Sequence, residues 1–116
     1  MKKIVNYVAA VVLALATTIG QANFYTGNEL AEFCGTNQAD RHDFANQALC
    51  SGYVIGVVDT ITQLVFYDDK LCMPDGVTVE QLIKVVEKYM VDNPAKMHWP
   101  GAYFVEFAML GAFPCK

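Results

Sequence analysis

The chain has 116 residues, 12 of them acidic and eight basic, for a net charge of −4. That length holds one domain rather than two. An acidic balance without a Lys/Arg cluster makes nucleic acid and anionic membrane poor candidate partners, since both are gripped by grouped cations; it is compatible with a basic protein partner and equally with acidity that serves solubility alone.

The first 22 residues read as an export leader. Lys2 and Lys3 supply a positive start, Tyr7 to Ala16 an unbroken apolar run of ten residues, and Gly20-Gln21-Ala22 a small-residue cleavage site. The run is well short of the roughly 20 apolar residues of a spanning helix, so cleavage rather than anchoring is expected. Removing residues 1–22 takes away two basic groups and no acidic one, leaving 94 residues (23–116) with a charge of −6. So short a leader points to the bacterial periplasm.

Beyond the leader the periodicity is helical. Thr26-Gly27-Asn28-Glu29 has the form of a capping box and predicts a short helix to about Cys34, with Leu30, Phe33 and Cys34 inward and Gly35 stopping it. Thr36 to Arg41 read as a loop. The longest helix is expected to begin between Asp40 and Asp43 and run to about Tyr67. Its apolar face is read as Cys50, Val54, Val57, Ile61, Leu64 and Val65. Tyr53 to Val58 is rich in β-branched residues, but no turn signal interrupts the run, so helix is preferred to strand. Gly52 and Gly56, four apart, predict close approach by another helix.

Asp68-Asp69-Lys70 and Cys72-Met73-Pro74-Asp75-Gly76 form a turn region. Thr78-Val79-Glu80-Gln81 is a second capping box, opening a helix with Val79, Leu82, Ile83, Val86, Tyr89 and Met90 inward. Asn93-Pro94 closes it, because the residue before proline avoids the helical region. A last helix starts near Pro100 and ends near Gly111 or Phe113. Glu106 is its only charge, so it is expected either at the centre of the domain or against a second subunit. The aromatics Phe24, Tyr25, Phe66, Tyr67, Tyr103 and Phe107 are expected mostly in the core. The fold class is all-α, a bundle of about four helices.

Four cysteines in a short exported chain read as a disulfide framework, with three possible connectivities. Cys34 ends one helix and Cys50 lies early in the next, a short loop away; Cys72 precedes the third helix and Cys115 follows the last. This placement favours Cys34–Cys50 with Cys72–Cys115. A zinc site needs close pairs, and spacings of 16, 22 and 43 residues supply none. The only histidines are His42 and His98, and no G-x-S-x-G, H-E-x-x-H or phosphate loop is present. His98 reads as a loop residue. Asp59, on the glycine side of the long helix, reads as a structural polar group bonded to Tyr or Thr, or as an exposed one. No catalytic constellation, metal or cofactor is predicted.

Three blocks carry a resemblance: Thr26-Gly27-Asn28-Glu29-Leu30 through Cys34, Cys50-Ser51-Gly52-Tyr53 through Asp59, and Cys72-Met73-Pro74-Asp75-Gly76-Val77-Thr78-Val79-Glu80-Gln81 through Tyr89. The closing Asn93-Pro94, His98 and Ala112-Phe113-Pro114-Cys115 extend it. Together they resemble the Rap/Tai family of periplasmic immunity proteins linked to type VI secretion; Trp99-Pro100-Gly101 and Tyr103-Phe104 depart from it in making the last helix more apolar. The resemblance implies a helical, disulfide-bonded, often dimeric protein that blocks a peptidoglycan-cleaving amidase effector. The competing reading is a periplasmic stress chaperone or another small binding protein, phage-borne relatives included. Inhibition needs a rigid loop, and Asp68 to Asp75 and Asp92 to Trp99 both qualify. The second is favoured, because it offers Lys96, Met97, His98 and Trp99, and tryptophan is a frequent interface anchor.

Overall fold

The computed structural model describes residues 1–4, 24–35, 44–64 and 68–116. The cleavage site, His42, the loop at 36–41, and Val65, Phe66 and Tyr67 fall outside them. Four helices of eight or more residues stand in the described chain: α1 (Gly27–Cys34), α2 (Phe44–Thr62), α3 (Val79–Asp92) and α4 (Gly101–Ala112). Among the described residues there is no strand, only two isolated bridges, Thr26 with Pro100 and Leu71 with Pro114.

Both capping boxes form. The Thr26 hydroxyl accepts from the Glu29 amide while the Glu29 carboxylate accepts from the Thr26 amide at 2.7 Å. Thr78 and Gln81 repeat the exchange, with the Thr78 amide donating to Gln81 Oε1 at 2.8 Å. Gly35 ends α1 at φ 70°, ψ 47°, a left-handed conformation that glycine takes without steric cost.

α4 packs against all three other helices. Phe104, Val105 and Met109 on it meet Leu30 of α1, Val54 of α2 and Val86 of α3, each at most 1% exposed. Tyr89 reaches across from α3 to Phe104, edge to face, with ring centroids 5.8 Å apart. The all-round apolarity of α4 is thus explained in part by a central position. Its remaining side is open: Tyr103 and Phe107, one turn apart, are 49% and 40% exposed. Phe24 is exposed as well and Tyr25 half-buried, so these aromatics do not form the core expected of them.

α2 departs from expectation in three ways. It ends at Thr62, short of Tyr67. Thr60, Ile61 and Thr62 form a β-branched run, the two threonine hydroxyls bond back to the Gly56 and Val58 carbonyls, and the last amides reach only three residues back. Its buried stripe is Cys50, Val54, Val58 and Ile61, with Val57 at the flank and Leu64 39% exposed beyond the helix end. Gly52 and Gly56 face away from the core, and a methyl group added at either would meet nothing within 4 Å. Among the described residues no helix packs onto them. In α3 the expected inward set holds except for Val79, 37% exposed in the first turn, before α3 reaches the core.

The disulfides are Cys34–Cys50 and Cys72–Cys115. The first joins α1 to α2 inside the core, its cysteines 5% and 2% exposed. The second lies nearer the surface and clamps the C-terminal segment to the chain before α3. There the Cys72 amide donates to the Phe113 carbonyl at 2.9 Å and the Cys115 amide to the Lys70 carbonyl at 3.1 Å. Loop-closure entropy alone ranks the bonds at about 3 and about 4 kcal/mol. Burial reverses that order, since truncating two core sulfurs also leaves a cavity. The double variant Cys34→Ala/Cys50→Ala should therefore lower the urea midpoint more than Cys72→Ala/Cys115→Ala does. The opposite order would show loop entropy dominating.

Candidate functional site

The Asp92 to Trp99 connector is built from turns that leave little freedom. Asn93 closes α3 by donating its side-chain amide to the Tyr89 carbonyl at 2.8 Å. Pro94–Lys96 is a single 3-10 turn, and the Trp99 amide donates to the Lys96 carbonyl at 2.7 Å. Met97 is half-buried against the core, whereas His98 is exposed. Trp99 is 36% exposed and meets His98 edge to face at 6.5 Å between ring centroids. The Lys96 ammonium stands 5.4 Å from the Trp99 ring centroid and 5.9 Å from that of Tyr89.

What fixes this connector in space is the N-terminus of α1. A helix begins with four amides that have no partner within it. Here the Thr26 amide bonds to the Glu29 carboxylate and the Glu29 amide to the Thr26 hydroxyl. The two between them are taken by the connector: Gly27 donates to the Trp99 carbonyl and Asn28 to the Met97 carbonyl, both at 2.8 Å. The Thr26 amide and hydroxyl also hold the Glu29 carboxyl below the usual carboxylate range. In return the Gly101 amide, at the start of α4, donates to the Tyr25 carbonyl at 2.7 Å. Burial pushes the Tyr53 phenol above its usual value, opposed in part by the Ala102 backbone amide. Tyr25 stacks edge to face on both Phe33 and Tyr53. The connector is thus tied to the first turn of α1 by main-chain bonds that its own side chains do not determine, and the start of α4 is tied to the chain just before α1.

The other residues singled out in the sequence lie elsewhere. The four cysteines act only as cross-links. Asp59 is exposed on the outer side of α2. Asp68 to Asp75 is held through Leu71, Cys72 and the C-terminal segment, remote in sequence from the connector. Gly27, Tyr25 and Tyr53 were not evident as site residues. The one available signal was Gly27 itself, a weak helix former placed in a first turn.

Among the described residues no group of three or more His, Cys, Asp or Glu side chains could hold a metal, and no helix is long and apolar enough to cross a membrane. Fold and site together define a helical scaffold that presents an anchored aromatic connector. The family to which the chain belongs is that of the Rap1a immunity proteins, which matches residues 26–115 and so includes all four cysteines. As a class, immunity proteins bind a secreted protein effector rather than catalyse a reaction. Comparison with curated proteins and with solved structures returns no match.

Gly27 is the tightest point of the site. A methyl group there would lie 2.5 Å from Phe104 Cε2 and 2.9 Å from the Met97 carbonyl oxygen. Overpacking of this kind costs about 1–3 kcal/mol, more than the small propensity gain of alanine in a first turn. Gly27→Ala should lose about 1–2 kcal/mol in chemical denaturation. A variant as stable as the parent would mean that Phe104 or the connector yields freely.

Proposed function

We propose that the chain is exported to the periplasm and there blocks a peptidoglycan-cleaving amidase delivered by type VI secretion, using the Asp92 to Trp99 connector. The observation that carries this reading is the anchoring of that connector. Its carbonyls are committed to α1, so Trp99 and His98 are offered to a partner with little left to order on binding. An inhibitor that occludes a cleft needs this rigidity and no reactive group of its own. The Rap1a family and the resemblance of the cysteine-anchored blocks support the choice of partner.

An acid-stress chaperone would need acid to open the fold. Among the described residues no polar or charged residue is buried, so protonation finds no buried carboxylate or histidine on which to act. Two disulfides also oppose opening.

Binding to a purified peptidoglycan-amidase effector of type VI secretion provides the direct test. His98→Ala/Trp99→Ala should weaken it at least about tenfold, the range of a modest interface anchor, with the melting temperature unchanged. Affinity equal to that of the parent would place the contact elsewhere.

The open side of α4 supports a homodimer as part of the same proposal. Tyr103 and Phe107 stand beside a groove between α2 and α4 lined by Gly52, Gly56, Thr60 and Ala102. Light scattering should give twice the chain mass for the parent and the single mass for Tyr103→Ser/Phe107→Ser. A monomeric parent would refute this interface.

A further inference from the structure

Lys96 is the one cation in the connector, and its position argues against a direct role in contacting a partner. It is half-buried, and its ammonium lies over two rings of its own chain, Tyr89 and Trp99. Both lie within the roughly 6 Å over which a cation is attracted to an aromatic face. Tyr89 is itself held against the buried Phe104. The ammonium therefore links the more exposed Trp99 ring to one held against the core. The main chain reinforces the link, since the Trp99 amide bonds to the Lys96 carbonyl.

We infer that Lys96 is a positioning residue that clamps the Trp99 indole against α3 and so sets the orientation in which it meets a partner. This rests on the proposed role of Trp99 in effector binding. The clamp itself concerns the free protein. An indole already fixed loses less freedom on binding than one that samples several rotamers, and a partly exposed cation–π contact sets the size of the effect at about two- to fivefold in affinity. An arginine should serve as well as the lysine, because a guanidinium also stacks on aromatic faces.

Trp99 is the only tryptophan of the chain, so its fluorescence reports on the clamp alone. In the free protein, Lys96→Gln should raise the acrylamide quenching constant of Trp99 and lower its anisotropy, while Lys96→Arg restores both. Circular dichroism and melting temperature should remain those of the parent. Affinity for the amidase should fall about two- to fivefold in Lys96→Gln and return in Lys96→Arg. Unchanged quenching and anisotropy in Lys96→Gln would overturn the clamp, and a loss of affinity with an unchanged Trp99 signature would make Lys96 a direct contact instead. A loosened Trp99 with full affinity would uphold the clamp and overturn Trp99 as an effector contact.

Discussion

The arrangement depends on how closely the first turn of α1 approaches α4. Gly27 lies flat against Phe104, with no room for a side chain between them. That contact brings the amides of Gly27 and Asn28 within reach of the Trp99 and Met97 carbonyls and sets Tyr25 opposite Gly101. The same junction thus completes the N-terminal hydrogen bonding of α1, orients the start of α4 and immobilises the connector. The disulfides stand apart from it, one inside the core and the other at the C-terminal segment.

Division of labour follows from this. The core, made from Leu30, Val54, Val86, Phe104, Val105 and Met109, contains no polar group and supplies stability through apolar burial. The connector contributes little to that core beyond Met97 and can carry exposed aromatic surface at small thermodynamic risk. A connector whose backbone is fixed by main-chain bonds allows the side chains at 98 and 99 to change without altering the path of the chain.

Much of this was legible in the sequence because the signals are local. Thr26 with Glu29 and Thr78 with Gln81 each announce a helix start within four residues, and both boxes form as read. The disulfide pairing followed from where the helices placed the cysteines. The end of α2 was harder, because Thr60-Ile61-Thr62 weakens a helix without breaking it. Gly52 and Gly56 misled for a different reason: a four-residue glycine spacing states that a surface is shallow, and nothing in it states which chain, if any, lies upon it. The bonds from Gly27 and Asn28 to residues some 70 positions away leave no periodic trace at all. They belong to tertiary structure alone, and so did the true environment of Trp99.

Chain order gives the central position of α4 a further meaning. α1, α2 and α3 precede it, yet each buries part of its apolar face against it. Until residues 101–112 arrive, Leu30, Val54 and Val86 lack the Phe104, Val105 and Met109 side chains that cover them. A chain emerging from its N-terminus therefore cannot close its core early, and remains open until nearly all of it is present. The keystone of the core is thus the last of the four helices to be made.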